Sequence, residues 1–117
     1  MTSANLAIMF TDIVGYTAKT QALSREEMKR FLASHNAIML PLVRRSGGRH
    51  IKSIGDALLC VFPSPTDALL CAMAMHDALF CYNQGKADGQ KISVKLGIKV
   101  GEVRLDKNDV FGDAVNI

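Results

Sequence analysis

Apolar residues run unbroken over positions 6–10 (Leu6-Ala7-Ile8-Met9-Phe10) and stop at Thr11-Asp12, with Gly15 close behind. This is the profile of a buried strand that delivers a loop to one edge of a sheet. Ser24-Arg25-Glu26-Glu27 then matches the S-x-x-E capping box, which satisfies two orphan helix donors at once. Met28, Phe31, Leu32, His35, Ile38, Met39, Leu42 and Val43 keep a period near 3.6 after it, so a helix is expected up to Gly47-Gly48, kinked at Pro41. Positions 50–53 and 57–62 read as a hairpin about the Gly55-Asp56 turn signal. Ser64-Pro65-Thr66-Asp67 supplies an N-cap, a proline at the first helical position and a first-turn acid, predicting a helix from 65 to about 82 that ends at Gly85. Ile92, Val94, Leu96, Ile98 and Val100 alternate strictly, and the apolar parity then flips to Val103 and Leu105. A bulge or bend at Gly101-Glu102 is the economical explanation.

Strand, helix, strand, strand, helix, strand is the split βαβ order, so the fold class expected is α+β: a ferredoxin-like βαββαβ core, mainly antiparallel, with helices on one face. A right-handed crossover lays the third strand between the first two. Asp12, at the end of the first strand, must then lie beside Asp56, at the hairpin that opens the third.

Composition narrows the class without changing that picture. The 117 residues are 49% hydrophobic and 21% charged, enough for a single domain whose core needs neither disulfides nor a structural metal. No apolar run approaches the ~20 residues a bilayer requires, and no leader pattern opens the chain, so no membrane segment and a cytoplasmic location are expected. Cys60, Cys71 and Cys81 are read as reduced core thiols. A net charge of +3 is too small to argue for nucleic acid, although Arg44, Arg45, Arg49 and Lys52 cluster.

Taken singly, an aspartate after a strand is most often a turn former or helix cap. Two adjacent carboxylates repel unless a cation bridges them, and Mg²⁺ typically takes one or two carboxylates plus phosphate oxygens. The segment Ile13-Val14-Gly15-Tyr16-Thr17 carries a glycine that permits close backbone approach and opens a short helix, whose amides suit an anion. Spacing alone therefore points to a metal-held nucleoside triphosphate, although neither G-x-x-x-x-G-K-[ST] nor G-x-G-x-x-G occurs.

Four blocks carry a resemblance. Phe10-Thr11-Asp12-Ile13-Val14-Gly15-Tyr16-Thr17, Gly47-Gly48-Arg49-His50-Ile51-Lys52-Ser53-Ile54-Gly55-Asp56, Leu96-Gly97-Ile98-Lys99-Val100-Gly101-Glu102-Val103 and Val110-Phe111-Gly112-Asp113-Ala114-Val115-Asn116 are similar, in order and spacing, to the class III nucleotidyl cyclase catalytic domain. The resemblance implies that Asp12, Asp56 and the carbonyl of Ile13 bind two Mg²⁺ or Mn²⁺ ions. It implies that backbone amides of Val14, Gly15, Tyr16 and Thr17 bind phosphate, and that Asn116 steadies the ribose as a catalytic residue. Lys95 falls where many relatives carry an arginine for the terminal phosphate; the charge is kept and the bidentate fork is lost. ATP-using relatives carry lysine with aspartate or threonine at the two base-reading positions, and GTP-using ones glutamate and cysteine. Lys52 and Asp109 stand there, a donor for adenine N1 and an acceptor for its 6-amino group.

The implied protein is an adenylate cyclase acting on ATP. Its site lies between two head-to-tail copies, so that Asp12 and Asp56 serve one site while Lys52, Asp109 and Asn116 of the same chain serve the other. In relatives the block containing Asn116 continues to an arginine four residues later, and later strands add a phosphate-contacting lysine. A catalytic domain over residues 1–117 that lacks its C-terminal part, inactive by itself, is therefore the expectation. A catalytically silent cyclase-like nucleotide-binding or regulatory module stays open as an alternative. An unrelated ferredoxin-like RNA reader is weaker, because only 6% of residues are aromatic. Bland roles are also on the table: Lys52 as an edge lysine, Asp109 as a turn residue, His35, His50 and His76 as core or surface groups, and Cys71, Met73 and Met75 as core packing.

Overall fold

The computed structural model describes residues 2–106, 109–112 and 115. The elements are β1 (Thr2–Ile13), α1 (Tyr16–Ala22), α2 (Arg25–Arg45), β2 (Arg49–Ile54), β3 (Ala57–Phe62), α3 (Pro65–Asn83), a 3-10 turn (Asp88–Gln90), β4 (Val94–Asp106) and β5 (Asp109–Phe111). All five strands form one sheet in the order β2-β3-β1-β4-β5, every neighbouring pair antiparallel. β3 lies between β1 and β2, the arrangement the split βαβ order predicts.

The two faces of the sheet are covered differently. Ala7, Met9 and Ile13 of β1, with Leu58, Cys60 and Phe62 of β3, pack under Met39 and Val43 of α2 and Cys71 and Met75 of α3. On the helix-free face Leu6 and Ile8 join Ile51, Leu59, Val61, Val103 and Val110 in a second cluster. β1 is therefore buried on both sides, which is why its sequence is continuously apolar rather than alternating.

The bulge expected at Gly101-Glu102 is absent. β4 pairs with β1 without a register shift from Thr2↔Leu105 to Ile13↔Val94. What changes along β4 is the layer above it: Val94, Leu96 and Ile98 pack under the helices, whereas Val103 belongs to the opposite cluster. The one register shift in the sheet pairings described lies in β2, between His50 and Lys52.

Local chemistry explains the helix boundaries. Glu27 N–H donates to Ser24 Oγ at 3.1 Å and Ser24 N–H to Glu27 Oε1 at 2.8 Å, completing the capping box. α2 continues through Pro41 and ends before Gly47, whose φ is +80°. Gly48 lies against the Phe62 ring so closely that a Cβ would sit 2.4 Å from it. Ser64 caps α3 by accepting from Asp67 N–H. Of the α3 residues assigned to the core, Cys71 and Met75 are buried but Met73 is 56% exposed. Two residues advance about 200° around a helix, so Met73 and Met75 cannot share a face. Cys81, also expected in the core, is exposed. Among the described residues, no helix is long and apolar enough to cross a membrane.

Candidate active site

Asp12 is the penultimate residue of β1 and Asp56 the second residue of the two-residue β2–β3 turn, where Gly55 takes φ +61°. The topology brings them together through one hydrogen bond: Ile13 N–H donates to Asp56 Oδ2 at 2.6 Å. The ladder shows why that donor is available. Val14 N–H bonds to Ser93 O at 2.8 Å on the β4 side, so Ile13, one residue earlier, turns its N–H and C=O toward β3. The β1–β3 pairing ends at Thr11 and Leu58, so β3 offers Ile13 no backbone partner, and the Asp56 carboxylate takes that ladder position.

An open cleft of about 300 Å³ is lined by Asp12, Ile13, Gly15, Tyr16, Thr17, Asp56 and Lys95. Asp12 shares its face with Leu6 and Ile8 by strand alternation, which puts it on the helix-free side. Lys95 is its direct cross-strand partner, with Nζ 3.9 Å from Asp12 Oδ1. Both side chains are more than half exposed, so the pair contributes a few tenths of a kcal/mol at most.

The phosphate-facing amides expected from Val14 to Thr17 narrow by one, since Val14 N–H is committed to Ser93 O. Gly15 caps α1 in the left-handed region at φ +74°. The first-turn amides of Tyr16 and Thr17 have no acceptor within the helix, as at any helix start. Among the described residues no group of three or more His, Cys, Asp and Glu side chains could hold a metal ion. Two carboxylates and the Ile13 carbonyl do fit an ion that completes its shell with water and phosphate oxygens rather than protein.

Lys52 and Asp109 also come together. Lys52 pairs with Leu59 on the helix-free face of β2, and Asp109 opens β5 rather than sitting in a turn. Their strands are the two ends of the sheet order, yet Lys52 Nζ lies 2.8 Å from Asp109 Oδ1. The sheet curls far enough for its two edge strands to meet over Ile51, Val103 and Val110. Asp109 Oδ1 also accepts from Val110 N–H at 2.9 Å. The Lys52 hydrogen bond first, and that backbone bond second, hold the Asp109 carboxyl below its ordinary range. Neither residue lines the Asp12–Asp56 cleft. Asn116 lies outside the described residues.

One group near the site carries no sequence signal beyond its place in a helical stripe. His35 of α2 is completely buried, its Nδ1 paired with Asn36 Oδ1 at 2.9 Å and its Nε2 without a partner. Burial pushes its pKa down, opposed by the Asn36 hydrogen bond and by the charge of Asp56.

The profile of the Adenylate and Guanylate cyclase catalytic domain matches residues 1–117. A serine/threonine-protein kinase pkn2 of Myxococcus xanthus is 39% identical over 113 residues, covering 97% of this chain and 14% of that protein. An adenylate cyclase of Anabaena cylindrica is 37% identical over 129 residues, covering 96% of this chain and 26% of that protein. Among solved structures, the guanylyl cyclase Cya2 superimposes with a TM-score of 0.85 at 25% identity, covering 98% of this chain and 67% of that one. The chain thus spans about a quarter or less of these two curated relatives and two thirds of the solved cyclase. With the profile matched along its whole length and the same fold in a solved member, the chain belongs to the adenylate and guanylate cyclase catalytic domain family.

Proposed function

We propose that this chain is the catalytic domain of an adenylate cyclase, forming 3′,5′-cyclic AMP and pyrophosphate from ATP at a site shared by two head-to-tail copies. The observation that carries the reading is the Ile13 N–H to Asp56 bond, which fixes one carboxylate at the register position beside Asp12. Asp12, Asp56 and the Ile13 carbonyl would hold two Mg²⁺ or Mn²⁺ ions. When bound, such ions lower the pKa of the ribose 3′-hydroxyl and offset the charge of the triphosphate. In the reaction the 3′-oxygen bonds to the α-phosphorus, its proton passes to solvent, and the bond to the bridging oxygen of pyrophosphate breaks in line. Gly15, Tyr16 and Thr17 line the cleft where the phosphates would lie, with Lys95 at its rim for the terminal phosphate. Asn116 is assigned to the ribose.

Lys52 and Asp109 are assigned to the base. Adenine presents an acceptor at N1 beside a donor at its 6-amino group, which a neighbouring lysine and carboxylate complement; guanine presents the reverse order along that edge. The two residues hold each other at 2.8 Å, so the adenine edge replaces an existing ion pair instead of filling an unpaired site. The pair does not line the Asp12–Asp56 cleft, which supports a site that takes the carboxylates of one copy and the base readers of another.

The test compares the chain with Asp12→Ala, measuring affinity for Mn²⁺-ATP and cyclic AMP formation. A loss of affinity of about 10-fold or more in the variant is expected. Equal affinity in the two refutes the carboxylate assignment. Metal-dependent binding with no product at any protein concentration favours the catalytically silent module.

A further inference from the structure

The wall of the cleft formed by Gly15, Tyr16 and Thr17 belongs to an element that the core barely holds. α1 is seven residues long and contains no buried residue. Its inward-facing positions are the half-buried Tyr16 and Lys19, one turn apart, with Leu23 following at the helix end. Tyr16 packs against the helix-side core. Lys19 makes two contacts instead of reaching for water: Nζ donates to Gly89 O at 2.8 Å and lies 4.7 Å from the centre of the Phe31 ring.

Its acceptor is on a stiff platform. Asn83, the last residue of α3, clamps Ile92 from both sides: its Nδ2 donates to Ile92 O and its Oδ1 accepts from Ile92 N–H, each at 2.8 Å. Ile92 is fully buried. The clamp closes the loop that carries Gly89, and the chain leaving it runs through Ser93, the acceptor of Val14 N–H, to Lys95 opposite Asp12. The segment after Ile13 is thus tied to one rigid loop at two points, by Val14 to Ser93 and by Lys19 to Gly89.

We infer that Lys19 is a positioning residue for nucleotide binding: its bond to Gly89 and its seat over Phe31 hold α1, and with it the Gly15–Thr17 wall, at a fixed distance from Asp12, Asp56 and Lys95. This rests on the cleft being the metal–triphosphate site proposed above. It assigns no contact between Lys19 and the nucleotide. A lysine on an inner helical stripe is ordinarily a stem lying over apolar surface with its head in water. Here the head is bonded to a carbonyl on another element, and the functional reading follows from what that element also carries.

Lys19→Met keeps the aliphatic stem and removes the donor and the charge; Lys19→Arg restores both. The readouts are amide hydrogen exchange over residues 14–23, affinity for Mn²⁺-ATP, and global stability in denaturant, with Asp12→Ala as reference. In Lys19→Met, exchange in α1 is expected to rise about 10-fold and nucleotide affinity to fall by a similar factor, the worth of one charge-assisted hydrogen bond. Exchange in the α2 core should stay unchanged, and Lys19→Arg should recover both losses. Unchanged α1 exchange overturns the tether. Faster α1 exchange with unchanged affinity overturns the positioning role. If wild type and Asp12→Ala bind Mn²⁺-ATP equally, the proposed function fails, whereas the exchange experiment still decides the tether.

Discussion

Asp56 is asked to do two separable things, and substitution can take them apart. Its carboxylate satisfies the half-buried Ile13 N–H and is assigned to a metal ion. Asp56→Ala removes both roles and leaves a donor without a partner, at a cost of about 1–3 kcal/mol in the metal-free protein. Asp56→Asn keeps an oxygen for Ile13 N–H and removes only the charge. Exchanging a charge-assisted bond for a neutral one costs about 1 kcal/mol, partly offset by relief of repulsion from Asp12. Denaturant unfolding with and without Mn²⁺ reads both roles. An ion present at 100 times its dissociation constant stabilises the native state by about 2.7 kcal/mol. Wild type should show that increment, and Asp56→Asn should lose most of it while resembling wild type without metal. Equal stabilisation of Asp56→Asn and wild type by Mn²⁺ would refute the ligand assignment. An Asp56→Ala protein as stable as wild type without metal would refute the structural role of the hydrogen bond.

His35 is buried with its pKa below the ordinary 6.5, so the unfolded chain binds its proton more readily than the native one. Its contribution to stability is therefore complete above pH 6.5 and is lost as pH falls from there toward the folded-state value; in His35→Leu, denaturation midpoints should vary less with pH over that window. Gly48→Ala places a methyl group 2.4 Å from the ring of the fully buried Phe62, and calorimetry should show a loss of about 1–3 kcal/mol from overpacking. For base choice, Lys52→Glu combined with Asp109→Cys should shift affinity from Mn²⁺-ATP toward Mn²⁺-GTP; unchanged preference for ATP would mean that the base is read elsewhere.

Much of this molecule is written locally. The capping box at Ser24, the proline-led start of α3 and the Gly55-Asp56 turn act over a few residues, so their sequence patterns and the observed boundaries agree. Element order then determined the strand order, because a right-handed crossover leaves β3 only the place between β1 and β2. From that order alone Asp12 and Asp56 had to be neighbours, and the bond through Ile13 is how they meet. What the chain could not reveal depends on which layer covers which stretch of sheet. The parity flip in β4 mimics a bulge because hydrophobicity records burial, and burial there passes from the helices to the opposite cluster while the ladder continues unbroken. Met73 and Cys81 look like core residues because an apolar side chain carries no mark of the side it faces on a helix that is apolar all round. The Lys52–Asp109 ion pair, the Asn83 clamp on Ile92 and the seat of Lys19 are contacts between elements. The sequence by itself determined the residues to which the chemistry is assigned and the edge where two of them meet. Only the tertiary structure decided how the curled sheet brings β5 to β2 and what holds the cleft in shape, because those distances depend on the curvature and packing of whole elements.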